Sequence, residues 1–176
     1  MVEIIPFADI GHLFEDFQHT AWRLESRRGY ASDLTGERLA RFLATGGVPA
    51  DPSHPWQVNI RAQLSQGKTF GRVRVVDDPL TDNQRFLLAT ALDSPEDIRM
   101  LPRTRADQLH LPREDFWLFD SATLVRLVFD EDTDRTLGVV LIEDASEVLR
   151  ACQVRDAAQH FAVPAREFNT AVPSAM

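Results

Sequence analysis

The sequence has one cysteine, Cys152, in 176 residues. One thiol forms neither an internal disulfide nor a cysteine zinc site. Lysine is almost as scarce: Lys68 stands alone against 18 arginines. A guanidinium grips carboxylates and phosphates through paired hydrogen bonds, so this bias is either compositional or a trace of such contacts. No apolar run approaches the roughly 20 residues that span a bilayer, so no membrane partner is expected. The opening "MVEIIPFADIG" carries acid where a secretory leader carries base, and a cytoplasmic chain is the expectation. Surplus positive charge is missing too. The net charge of -8 makes direct nucleic-acid binding an unfavourable assignment, because phosphate binding needs clustered cations.

Familiar catalytic machinery is also absent. The chain has no G-x-x-x-x-G-K-[ST] loop, no G-x-G-x-x-G turn, no G-x-S-x-G elbow and no H-E-x-x-H pair, so no standard cofactor is indicated. The five histidines, His12, His19, His54, His110 and His160, are scattered, and no metal site is expected.

Hydrophobic residues make up 44% and charged residues 26%, ordinary values for a globular chain. Residues 8 to 26 read as an amphipathic helix. Phe14, Phe17, Ala21 and Leu24 form its buried stripe, and Glu15, His19 and Arg23 form a separate row one turn apart. "ERLARFLATGG" reads as a second helix ended by glycine, and "VPADPSHP" as a connection. "WQVNIRAQLSQGK" reads as a third helix. "FGRVRVVDD" alternates as a strand, and Thr81 with Gln84 opens a capped helix. "EDIRMLP" is a second strand, followed by a polar loop over "RTRADQLHLPRE". "DFWLFD", "TLVRLVFDED" and "TLGVVLIED" then read as an antiparallel meander. A last helix follows, with Asp144 in a capping position.

The expected fold is α/β, with α+β as the alternative: a mixed sheet of about five strands with packed helices. The expected layout is a helical N-terminal segment over 1–50, an α/β domain over 51–168 and a flexible tail over 169–176, compact as one unit.

Residues 56 to 163 run helix, strand, an arginine-bearing strand, then "LP…DFWLFD…LVFD". This order loosely resembles half of a phospholipase-D-like domain. That family's catalysis needs His-x-Lys. Here each histidine is followed two positions on by Phe14, Ala21, Trp56, Pro112 or Ala162, so the resemblance implies fold without the nucleophile. A tighter resemblance spans "LFEDFQHTAWRLESRRGY", "RVRVVDDPLTDNQRF", "EDIRMLPR", "LPREDFWLFD" and "RDAAQHFAVP". These segments resemble an actinobacterial protein family of unknown function whose members are often encoded beside helix-turn-helix regulators. The resemblance implies a bacterial cytoplasmic setting and a helix-turn-helix regulator as partner.

Two candidate sites emerge from the residues. In the first, His19, Arg23 and Glu25 share a helix with Trp22 displayed beside them. An oriented histidine serves proton transfer or anion recognition, and an exposed indole marks a contact surface. In the second, Arg72, Arg74, Arg85, Arg99 and Arg103 gather at strand ends with Asp77, Asp78 and Asp82, where ligands of α/β sheets tend to sit. "DFWLFD" is apolar on both faces and is expected in the sheet centre. Two functions follow. The first is a non-enzymatic regulatory or protein-interaction role. The alternative is an enzyme or sensor that holds a small anionic ligand, bearing phosphate or carboxylate, on His19, Arg23 and the strand-end arginines. A flat surface centred on Trp22 or Trp56 would favour the first, and a concave pocket the second. The oligomeric state is not legible.

Overall fold

The computed structural model describes residues 2–172. The chain opens with a 3-10 turn, Phe7–Ile10, and a short helix α1, Leu13–Asp16. Next come β1, Thr20–Glu25, and helices α2, Ala31–Leu34, α3, Glu37–Thr45, and α4, Pro55–Ser65. A β-α-β unit follows: β2, Thr69–Val76, α5, Asp82–Leu92, and β3, Asp97–Pro102. Helix α6, Arg103–Gln108, precedes the meander of β4, Phe116–Phe119, β5, Thr123–Phe129, and β6, Thr136–Ile142. Helix α7, Ala145–Phe161, the two-residue β7, Val163–Pro164, and α8, Ala165–Ala171, close the described chain.

Among the described residues the strands form one mixed sheet in the order β6-β5-β4-β1-β2-β3-β7. The mixed α/β class expected from the sequence is therefore correct, with seven strands in place of about five. β1, β2 and β3 run parallel, and β4, β5 and β6 are antiparallel neighbours. The capping box of Thr81 and Gln84 is present, and Asp144 caps α7 by accepting from the amides of Ser146 and Glu147. No helix among the described residues is long and apolar enough to cross a membrane.

The main departure is at residues 8 to 26, which are not one helix. Phe14 and Phe17 are buried as expected, but helix ends at Asp16 and residues 20–25 are a central strand paired with β2 and β4. The cause is distant in sequence. Asp120, just past β4, accepts from the amides of Gln18 at 2.7 Å, His19 at 2.7 Å and Thr20 at 2.9 Å. A carboxylate that takes three consecutive amides occupies the donors a helix would need. Its backbone is left-handed, φ 52°, a conformation aspartate tolerates better than most residues. The segment over 1–50 thus supplies a central strand and is not a helical appendage. The expected polar loop after β3 contains α6, and α8 takes in Asn169 to Ala171 of the expected loose tail. Residues 173–176 lie outside the described residues.

Both faces of the sheet are covered. On one, Trp22, Leu24, Val73, Val75, Phe116 and Leu118 pack with Val148, Ala151 and Ala158 of α7. On the other, Phe14, Phe17, Phe70, Trp117 and Phe119 build an aromatic core. Phe14 stands edge-on to Trp117 at 5.0 Å and to Phe119 at 5.1 Å between centroids. Each such pair contributes about 0.5–1.5 kcal/mol beyond the area it buries. The "FWLF" strand is buried on both faces, as its composition requires.

Candidate functional site

The parallel register sets Arg23 of β1 beside Arg72 of β2, and Glu25 beside Arg74. Alternation then puts all four side chains on the face that carries Trp117. Glu25 accepts from Arg72 Nη1 at 2.8 Å and from Arg74 Nε, and lies 3.3 Å from Arg23 Nη1. Glu96, the residue before β3, receives the fork of Arg72: Nε to Oε2 at 2.7 Å and Nη2 to Oε1 at 3.0 Å. The Trp56 indole donates to the same Oε1 at 3.1 Å. Asp115, the residue before β4, takes Arg23 Nη2 at 3.3 Å, the Tyr30 hydroxyl at 2.6 Å and the Ser26 amide at 2.7 Å. Arg72 and Arg23 lie over the Trp117 ring at 5.2 and 5.7 Å. Three guanidiniums thus meet three carboxylates at the centre of the sheet.

The cluster is dry enough to move proton affinities. Burial alone would raise the Glu25 carboxyl, but Arg74, Arg23 and Arg72 outweigh it and hold the group well below the usual carboxylate range. Burial would lower Arg72; Glu96 and Glu25 reverse that and fix its charge. Tyr30 is pushed well above the ordinary phenol value by burial, and then by the negative charges of Asp115 and Glu25. Asp33, nearer the mouth, is raised chiefly by burial. Two donors of the cluster, Arg23 Nε and Trp117 Nε1, are buried without a partner.

This network floors an open cleft of about 670 Å³. The walls come from α4, α5, the stretch Val48–Pro52 and the loop after β1, with the rings of Tyr30, Trp56, Phe86 and Phe129 among them. The rim carries Arg38 and Arg61 against Asp33, Asp51 and Asp93, and with Arg23, Arg72 and Arg74 against Glu25 and Glu96 the charges lining the cleft sum to zero with His54 neutral. Among the described residues, no group of three or more His, Cys, Asp or Glu is placed to hold a metal ion.

Four of the residues read from the sequence converge here: Arg23, Glu25, Arg72 and Arg74. The others do not. His19 is exposed beyond the start of β1, where only its backbone is engaged. Trp22 is not displayed; it is buried on the opposite face and its indole donates to Gln159 at 3.0 Å. Arg99 pairs with Asp97, and the register sets it beside Val73, away from the cleft. Arg103 holds Asp77 at 2.8 Å below the strand ends. Arg85 lies on α5 outside the lining. Arg72 and Arg74 point to buried carboxylates and not to Asp77, Asp78 and Asp82. Glu96, Asp115 and Tyr30 complete the network and were not assigned from the sequence, while Trp56, which donates to Glu96, was named there only as the centre of a possible contact surface. The available signal was an acidic pair, Glu96–Asp97 and Glu114–Asp115, at the start of each of two strands.

The fold is similar to two solved structures. NucT from Helicobacter pylori matches with a TM-score of 0.51 at 9% identity, over 89% of each chain. The archaeal chromatin protein TrmBL2, described as showing a novel mode of DNA binding, matches with a TM-score of 0.51 at 10% identity, over 93% of this chain and 55% of its own. At such identities the likeness concerns the fold alone. No curated protein matches the sequence. A family model covers residues 8–170, nearly all of the described chain, and the chain therefore belongs to the family described as Domain of unknown function (DUF6879).

Proposed function

We propose that this chain is a small-molecule-binding domain, acting without catalysis, whose ligand sits in the cleft over β1 and β2. The observation that carries the reading is a buried ion network lying open to a cleft of about 670 Å³. Buried charges contribute little net stability, and apolar residues of the same volume commonly serve a fold as well or better. A concave, ring-walled cavity floored by oriented polar groups is the usual form of a ligand site. The burial of Trp22 speaks against the flat, indole-centred contact surface that a pure interaction module would use. The missing His-x-Lys pair leaves the phospholipase-D-like arrangement suggested by residues 56 to 163 without its nucleophile. DNA binding, the property described for TrmBL2, finds little support in a chain of net charge -8 whose inner guanidiniums already hold carboxylates.

The test is retention of a ligand. The purified chain is exposed to a bacterial metabolite extract, washed, and its bound small molecules are identified by mass spectrometry. A second sample carries Gln57→Trp, which fills the cleft from α4. A compound retained by the wild type and lost from the variant is expected. Retention of nothing, or equal retention by both proteins, overturns the reading.

A further inference from the structure

We infer that the ligand of this cleft is an uncharged, planar nitrogen heterocycle of nucleoside size, and not an anion. The inference rests on the ligand-binding reading above and names the chemistry of what enters.

Charge is the first argument. An arginine-rich floor looks like an anion trap, but each of these arginines already faces a carboxylate. Arg72 uses Nε, Nη1 and Nη2 on Glu96 and Glu25. Arg23 is held by Glu25 and Asp115, and Arg74 by Glu25 and the Leu87 carbonyl. An entering phosphate or carboxylate would have to strip a carboxylate from its partner inside a low-dielectric floor. Otherwise it would sit beside carboxylates unpaired, and either course is unfavourable. The charged groups lining the cleft sum to zero, so no surplus charge draws an anion in. A cation would likewise have to displace a guanidinium from its carboxylate.

Shape and hydrogen bonding supply the rest. The rings of Tyr30, Trp56, Phe86 and Phe129 line the walls, and the volume suits a ligand of one or two fused rings with a substituent. A base stacks on an aromatic side chain through its uncharged ring face. Guanidinium and carboxylate edges lie side by side on the floor. The carboxylates of Glu25 and Glu96 line the cleft and keep lone pairs beyond those the arginines use, so they can accept from the amino group or ring N–H of a heterocyclic base. Neither contact requires charge on the ligand.

Isothermal titration calorimetry on the full chain tests this. The probes are adenosine, guanosine, cytidine and uridine, their monophosphates, and inorganic phosphate, each against the wild type and Gln57→Trp. At least one nucleoside should bind, and its monophosphate should bind about tenfold or more weaker. Inorganic phosphate should give no heat, and Gln57→Trp should abolish nucleoside binding while circular dichroism shows it folded. A monophosphate that binds as tightly as its nucleoside, or phosphate binding alone, overturns the inference in favour of an anion site. Silence from all four nucleosides also overturns it. In that case a compound recovered from extract and displaced by Gln57→Trp would leave the ligand-binding reading standing, and recovery of nothing would remove both.

Discussion

Arg72 meets Glu96 through two parallel hydrogen bonds, of 2.7 and 3.0 Å, while its third nitrogen reaches Glu25 at 2.8 Å. One guanidinium therefore ties the residue before β3 to the end of β1, with β2 between them. Every nitrogen is satisfied, so the geometry is fixed by directional bonds as well as by charge.

Removing one member should cost more than the pair contributes. Glu25→Gln leaves Arg23, Arg72 and Arg74 with one carboxylate fewer in a buried setting. A loss of about 3–5 kcal/mol is expected from urea unfolding, the range seen when one partner of a buried pair is removed. A change below about 1 kcal/mol would mean that water reaches the network freely.

The same residue should shape the acid limb of stability. The native Glu25 carboxyl is held below its ordinary value, so the unfolded chain binds that proton more tightly. The stabilisation is then present above the ordinary value of about 4.3 and is lost as pH falls below it toward the native one. Asp33, raised by burial, acts in the opposite sense. The difference between wild type and Glu25→Gln therefore isolates the effect. Their melting temperatures should converge as pH falls below about 4; a constant gap down to strong acid would contradict the assignment.

Tyr30 is the only tyrosine in the sequence, so phenolate absorbance reports it alone. Its native value is raised by burial and by Asp115. Stability should be unaffected below the ordinary phenol value of about 10 and should fall as pH rises beyond it. Phenolate should thus appear together with loss of the near-ultraviolet dichroism of the fold. Smooth ionisation near the ordinary value with the fold intact would show Tyr30 open to solvent.

His19 and Arg23 should behave differently. His19→Ala, at an exposed position that uses only its backbone, should stay within about 0.5 kcal/mol of wild type. Arg23→Ala uncovers Glu25 and Asp115 and should destabilise by about 3–5 kcal/mol. Equal effects in thermal melts would indicate that the two side chains share a face after all.

On the aromatic side of the sheet, Phe119→Ala should cost about 3–5 kcal/mol, as expected for a buried phenylalanine. A melting temperature within a degree or so of wild type would show that Phe14 and Trp117 close the gap.

The sequence made some of this legible and hid the rest for definite reasons. "FGRVRVV" announces a strand, and "DFWLFD" announces a doubly buried one, because period and composition are local. In "FEDFQHTAWRLE" two periods coexist. Phe14, Phe17, Ala21 and Leu24 fit helical spacing, while Trp22, Arg23, Leu24 and Glu25 alternate as a strand. The decision comes from Asp120, about a hundred positions away, which takes the amides of residues 18 to 20. Arginines on a strand also read as solvent-facing, since a buried charge is rare without a partner. Arg72 and Arg74 find Glu25 on β1, Arg72 finds Glu96 before β3, and Arg23 finds Asp115 before β4. The register of β2 against β1 and β3 and of β1 against β4 brings them together. The α3 helix, ended by Gly46 in the left-handed conformation, needed no such distant information.

The connected circuit of Arg23, Glu25, Arg72, Arg74, Glu96 and Asp115 bears on how this family changes over evolutionary time. No member of the circuit can drift alone without stranding a neighbour's charge. Substitutions at positions 23, 25, 72, 74, 96 and 115 should therefore appear in compensated sets: an acid lost together with a base, or the whole group replaced by apolar side chains. Relatives that kept the circuit and relatives that dissolved it would then form separate branches, and a cleft with the same outline would serve different ligands in each.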